Sequence, residues 1–349
     1  MTIVSLPQHP VPGNSARPPM SGAAELDWQS SLRHAVRDAA ELCRILQLTP
    51  SIVDGSNEAT GQFPVFVPPH YLSLIERRNA DDPLLRQVLP IAAESATIAG
   101  FSADPLGENH VHLGHGMLQK YAGRALMVLS GACAVHCRYC FRRHFPYSEA
   151  AATPAQWEQT LAQIAADTTL HEVLLSGGDP LMLPDRQLSE LTSRLAEIQH
   201  LRRLRIHSRL PIVIPQRVTD QLIDLLSASR LVPWFVVHAN HPRELDAVTG
   251  AALGRLVDAG IPVLNQAVLL RGVNDHVDTL AELCERLVDL RVTPYYLHQL
   301  DRVAGAAHFE VPIDEGRLII RQLQERLPGY AVPRYVQEIP GAASKLPVG

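Results

Sequence analysis

Lysine is nearly missing from this chain. Of its 31 basic residues only two, Lys120 and Lys345, are lysines. Most surface positions accept either cation, but a guanidinium cannot act as the neutral amine that attacks a carbonyl. The scarcity therefore removes lysine as a general surface charge and singles out the two that remain. Long apolar runs are missing as well. No run is long enough to span a bilayer and no basic-then-apolar leader opens the chain, so the expectation is a cytoplasmic protein with no membrane partner. Excess positive charge is also absent: the formal net charge is -5, which gives nucleic acid no electrostatic footing. Cysteines number five, and a disulfide framework is not expected, because an intracellular chain of this size neither needs nor keeps one.

With 349 residues, 46% of them hydrophobic, the chain can bury a full core as one large domain with an appendage. Residues 1–24 are rich in Pro, Ser and Gly without periodicity and read as a loosely ordered tail. A mostly helical region follows over 25–119, with helices expected from about Glu25 to Leu48 and from His70 to Arg78. A polar loop then carries His110, His112 and His115; no acidic or cysteine partner lies at ligand spacing, and it reads as a plain loop. From Arg124 the pattern alternates. Six apolar, β-rich runs (ALMVLS, EVLLSG, LRIHSR, WFVVHA, PVLNQAVLL and TPYYLHQ) are separated by helical periods, one opened by Thr153-Pro154 and Gln156. Another is the stripe Leu188, Leu191, Leu195 and Ile198 behind Asp185. This predicts an α/β fold, a partial (β/α)6 TIM-type barrel over 120–330, with 331–349 as a carboxyl-terminal segment. Chemistry in such barrels gathers at the carboxyl ends of the strands.

Three of the five cysteines fall there, spaced Cys133-x₃-Cys137-x₂-Cys140 just after the first strand. Three thiolates on one tight loop can ligate three irons of a four-iron, four-sulfur cluster, leaving the fourth iron open to a small molecule. A zinc site closes with four ligands and would have to recruit His136 or His144. Cys43 and Cys284 lie on apolar helical stripes and read as core residues. The spacing is similar to the signature of radical S-adenosylmethionine (radical SAM) enzymes. The second strand ends in Ser176-Gly177-Gly178-Asp179, which resembles the element of those enzymes that grips the methionine amino group of SAM. Polar residues recur at the other strand ends (Arg205, His207, Ser208, Arg209, His238, Asn240, Asn265 and Gln266), as a polar pocket requires. Lys345 follows a run of small residues, Gly341 to Ser344. In so lysine-poor a chain it is a candidate Schiff-base residue for pyridoxal phosphate (PLP). Asp301 and Glu338 are two carboxylates able to hold a cationic substrate group together.

These motifs, with DDPLLRQVL, CRYCFRRHFPY, SGGDPLM, RLRIHSRLPIVIP, LNQAVLLRGVND, PYYLHQLD and the terminal SK-x-P, resemble the lysine 2,3-aminomutases. Those are isomerases that combine radical SAM chemistry with PLP. The likeness runs from about Asp81 to Pro347 and is strongest to the short form that supplies (R)-β-lysine for modification of translation elongation factor P. It implies that Cys133, Cys137 and Cys140 hold a [4Fe-4S] cluster, that Ser176, Gly177, Gly178 and Asp179 serve SAM, and that Lys345 binds PLP. It also implies Lys120 and Arg124 beside the PLP phosphate, Arg142 on the substrate carboxylate, and Asp301 and Glu338 on the ε-ammonium of L-lysine. Longer members of that family have an aspartate where Glu338 stands. They also continue past the PLP lysine into a zinc-binding extension, so zinc and that mode of assembly are not expected here. The implied partners are an external flavodoxin- or ferredoxin-like electron donor and, through free β-lysine and a separate ligase, elongation factor P. Two other readings of the residues stand beside this one: an aminomutase acting on another amino acid such as glutamate, and a non-catalytic metal-binding protein.

Overall fold

A computed structural model describes residues 27–108, 116–147 and 156–348. The expectations for residues 1–24, for His110, His112 and His115, and for Thr153-Pro154 fall outside these.

Nine strands form one sheet in linear order. Its centre is seven parallel strands: β2 (Arg124–Val128), β3 (Glu172–Ser176), β4 (Arg203–Ser208), β5 (Val232–Val237), β6 (Val263–Val268), β7 (Thr293–His298) and β8 (Arg334–Gln337). Short antiparallel strands close each edge, β1 (Met117–Tyr121) beside β2 and β9 (Leu346–Pro347) beside β8. Strands β2 to β7 are the six expected runs, each followed by a helix. The sequence reading missed β1, β8 and β9. Four residues, Arg-Tyr-Val-Gln, followed by Glu-Ile-Pro are too few for a strand signal at β8, whereas β1 had one: LQKY and RALMV flank Ala-Gly, a hairpin pattern.

Strand period explains where the site lies. In β4, Leu204, Ile206 and Ser208 are buried while Arg205 and His207 take the other face. Parallel register sets Leu174 beside Arg205 and Arg205 beside Trp234. The inner face of the sheet thus presents Arg124, Leu126, Leu174, Ser176, Arg205, His207, Gln266, Tyr296 and His298 to a cavity. On the outer face the helices bury one stripe each. Asp185–Glu197 buries Leu188, Leu191, Thr192 and Leu195, and Val277–Asp289 buries Leu280, Leu283, Cys284 and Leu287. Cys284 and Cys43 are both core residues, 2% and 1% exposed.

The amino-terminal region differs from the single long helix expected. Two helices, Trp28–Arg33 and Ala39–Leu46, are separated by a break in which Val36 exchanges backbone hydrogen bonds with Val67, each 2.9 Å. Asp38 caps the second by accepting from the Glu41 amide at 2.7 Å. The next predicted helix covers Pro69–Leu74 rather than reaching Arg78, whose φ of 62° is left-handed.

Candidate active site

The cysteine loop has little regular structure of its own, and buried charges fix it in place. Arg138, fully buried, donates from Nε to Glu94 Oε1 at 2.9 Å and from Nη2 to Oε2 at 2.6 Å. Arg143 reaches the same Glu94 Oε2 at 2.7 Å and the Gly305 carbonyl at 3.1 Å. Two of the loop's three arginines are therefore structural, and only Arg142 among them turns into the cavity. His136 donates to or accepts from nothing in the loop; its Nδ1 lies 2.7 Å from the Pro64 carbonyl and its ring stacks on Phe63. His144 bonds the Ala304 carbonyl at 3.1 Å. Neither histidine is placed with the cysteines.

Cys133, Cys137 and Cys140 are half-buried free thiols lining one cavity of about 340 Å³. Burial, with the neighbouring Cys137, pushes the Cys140 thiol up to about 11, and burial raises Cys133 well above the usual range. Cluster iron binds the thiolate form, so ligation would release those protons. Among the described residues no three His, Cys, Asp or Glu side chains converge on a point for a single ion. A cuboidal cluster does not need such a point, since each thiolate takes its own iron.

The Gly-Gly-Asp turn packs against this loop. The Gly178 amide donates to the Ser130 carbonyl at 2.6 Å and the Asp179 amide to the Ala132 carbonyl at 2.9 Å. A Cβ on Gly178 would meet the Ala132 oxygen at 2.4 Å, and one on Gly177 the Ser130 oxygen at 2.7 Å. What these glycines permit is close approach to another backbone segment, the start of the cysteine loop. Asp179 is buried, its carboxyl pushed up to about 6 by burial. It accepts from the Ser208 hydroxyl at 2.8 Å and from the amides of Arg209 and Leu181 at 2.8 and 3.0 Å. Ser208 is thus a support rather than a wall of the cavity, and Asn265 bonds the Ala239 backbone. Arg205, His207, Arg209, His238, Asn240 and Gln266 do line it.

Lys345 reaches the cavity through a hairpin. Strand β9 folds back on β8 with Leu346 opposite Gln337, and Gly341 supplies the left-handed turn residue, φ 77°. No atom lies within 4 Å of a Cβ built on Gly341, so conformation rather than close approach explains that glycine. The hairpin sets Lys345 in an ion pair with Glu338. Glu338 also accepts from Lys120 Nζ at 2.7 Å, Lys120 lies 3.0 Å from Glu108, and Glu108 grips Arg142 at 2.6 Å. Five side chains thus alternate in sign across the pocket. Burial would raise Glu338 and Glu108, but their lysine and arginine partners outweigh it and hold both carboxyls below the usual range. Asp301 sits outside the row. Burial, then the Glu338 charge, push its carboxyl up to about 7 against the pull of Lys345 and Lys120.

Six cations line the cavity: Lys120, Arg124, Arg142, Arg205, Arg209 and Lys345. Five have carboxylate partners, including Arg205 with Glu172 and Arg209 with Glu244. Arg124 has none among the described residues; it stacks on Tyr121 at 5.0 Å.

Residues 127–284 match the Radical SAM superfamily. The chain is 46% identical over 323 residues to the L-lysine 2,3-aminomutase of Escherichia coli strain K12, spanning 92% of this chain and 94% of that protein. It is 42% identical over 321 residues to the L-lysine 2,3-aminomutase of Haemophilus influenzae, spanning 92% and 95%. The enzyme of the same name from Clostridium subterminale is 36% identical over 323 residues, 92% and 77%. The chain belongs to the lysine 2,3-aminomutase family.

The cofactors that family membership implies are a [4Fe-4S] cluster, SAM and PLP, and the residues present fit them. Three thiols on one loop suit the cluster, a lysine amine in the same cavity suits PLP, and a cation without an acidic partner suits a phosphate. The buried Nε2 atoms of His207 and His298 have no protein partner, as befits a cavity made for polar occupants. Sequence reasoning missed Glu108, Glu94 and Tyr139. The first two are single acids, Glu94 in the one-turn 3-10 helix Ala92–Ser95, and carry no local signal. Tyr139 lies inside the cysteine motif, and its hydroxyl accepts from Asn240 at 2.6 Å and from Arg209.

Proposed function

We propose that this protein is an L-lysine 2,3-aminomutase, an isomerase that converts (S)-α-lysine to (R)-β-lysine. The observation that carries the reading is the meeting, in one cavity, of the three-cysteine loop with Lys345 and two carboxylates suited to an ammonium group. When bound, the cluster with SAM would supply a 5′-deoxyadenosyl radical, and PLP would supply a carbon that holds the nitrogen and spreads the unpaired electron while the nitrogen moves from carbon 2 to carbon 3.

The chain's own residues do the rest. Cys133, Cys137 and Cys140 hold the cluster. Ser176, Gly177 and Gly178 form the wall that serves SAM, with Asp179 pinning that turn through Ser208 and the Arg209 amide. Lys345 would hold PLP through its amine, the place that the substrate α-amine would take. Arg124, lacking an acidic partner, takes the phosphate, with Lys120 beside it. Arg142 holds the substrate carboxylate while Asp301 and Glu338 hold the ε-ammonium, which fixes substrate length between a cation and two acids. Glu338 must exchange a lysine partner for the substrate to do this. An acidic substrate tail would be repelled by the same pair, which disfavours glutamate. A non-catalytic metal protein leaves Lys345 and the ion row without purpose.

The enzyme works in the cytoplasm with a flavodoxin- or ferredoxin-like donor. Elongation factor P is served through free β-lysine and a separate ligase. The decisive assay is anaerobic: reconstituted protein with dithionite, SAM, PLP and L-lysine, read by chiral chromatography and for 5′-deoxyadenosine. β-Lysine with little net loss of SAM is expected. Deoxyadenosine without β-lysine makes the substrate wrong; neither product, from protein shown to carry iron, sulfide and PLP, sinks the reading.

A further inference from the structure

Arg142, the cation given above to the substrate carboxylate, is already held by another acid. Glu108 accepts from Arg142 Nε at 2.6 Å and from Nη2 at 2.8 Å. Among the described residues, Arg142 Nη1 reaches only the Ser176 hydroxyl, at 3.3 Å. A guanidinium carries five N–H groups in one plane. With the Nε–Nη2 edge occupied, the Nη1–Nη2 end is the fork that remains for a second carboxylate. The two acids therefore use different edges and do not compete for the same pair of donors.

Glu108 is itself fixed. Its amide donates to Asp104 Oδ1 at 2.9 Å, Lys120 binds its Oε1 at 3.0 Å, and its side chain is 3% exposed. The row of three cations and two carboxylates keeps one net positive charge, so the pairing orients Arg142 without cancelling its attraction for an anion.

We propose that Glu108 is a specificity-determining positioning residue: by gripping one edge of Arg142 it aims the free fork into the pocket and sets where the substrate carboxylate sits. The inference rests on the assignment of Arg142 to that carboxylate. A long side chain held in its binding rotamer loses less freedom when the ligand arrives, and affinity rises accordingly.

The test compares L-lysine with 1,5-diaminopentane, which keeps both amines and lacks the carboxylate. Equilibrium dialysis of each labelled ligand is run on wild type, Glu108→Gln and Glu108→Asp, all carrying cluster and PLP, without SAM so that nothing turns over. Wild type should prefer lysine. In Glu108→Gln that preference should fall about tenfold, on the order expected for one charge-assisted hydrogen-bonded pair, through weaker lysine binding alone. Glu108→Asp, which keeps the charge one methylene short, should lie between. A preference unchanged or increased in Glu108→Gln overturns the inference, and so does equal weakening of both ligands, which a merely structural role would give. If wild type binds the two ligands equally, the Arg142 assignment falls first and the role of Glu108 with it.

Discussion

The cysteine loop and the carboxyl-terminal hairpin line the same cavity but carry their charges in opposite ways. Around the loop, the bracing ion pairs are almost fully buried, each side chain at most 6% exposed: Arg138 and Arg143 together on Glu94, Arg209 on Glu244. At the hairpin, partners are shared along a row, with Glu338 between Lys345 and Lys120 and Glu108 between Lys120 and Arg142. Settled pairs suit a group that stays bound through every turnover. A row open to the cavity suits partners that must change, because Lys120 and Lys345, 19% and 24% exposed, can be reached by a ligand.

The comparison breaks most sharply with one substitution on each side. Lys345→Arg should reduce β-lysine formation to background while iron and sulfide content stay at wild-type levels, since guanidinium cannot replace the amine. Cys137→Ala should do the reverse, losing iron while PLP still attaches through Lys345. A Lys345→Arg protein that still turns over would end the hairpin's assignment. Next in size is Glu94→Gln. Leaving two buried guanidiniums without their carboxylate should cost about 3–5 kcal/mol of stability, measured by anaerobic denaturant unfolding. A loss under about 1 kcal/mol would mean that the loop's pairs are not what fixes it. On the hairpin side, Arg124→Ala should weaken PLP binding about tenfold by fluorescence titration, the scale of one charge-assisted contact; unchanged affinity would place the phosphate elsewhere. The mildest effect concerns pH. Asp301, pushed up to about 7, must be ionised to hold an ammonium, so lysine affinity should fall below about pH 7, approaching tenfold per unit. Asp301→Asn should flatten that profile, and an equally steep profile in the variant would assign the proton to another group.

The sequence was most legible where chemistry is local. Cys133 to Cys140 spans one loop, and Lys345 stood out because the chain has so few lysines. The six βα units were legible because apolar period and length repeat six times. The supports were not. Glu94 meets Arg143 across 49 residues and Glu108 meets Arg142 across 34, so no window of sequence contains either pair. For the same reason spacing alone does not separate Arg138, Arg142 and Arg143, although two brace the loop and one faces the cavity; it is the resemblance that singles out Arg142. The break at Val36 was hidden because an apolar stripe continues across it, and only the pairing with distant Val67 shows that the helix must stop.

That Glu94 lies in the amino-terminal region bears on how the molecule can be divided. A boundary drawn near residue 120 follows the change in secondary-structure pattern, but the bracing of the cysteine loop crosses it. Gln87 crosses it too, accepting from Arg209 at 2.8 Å, next to the 2.7 Å contact between Arg209 and Cys137. A barrel cut free at that boundary would keep all three cysteines and lose the residues that hold them in register. Modular exchange in this scaffold therefore has to carry the short helices along with the strands.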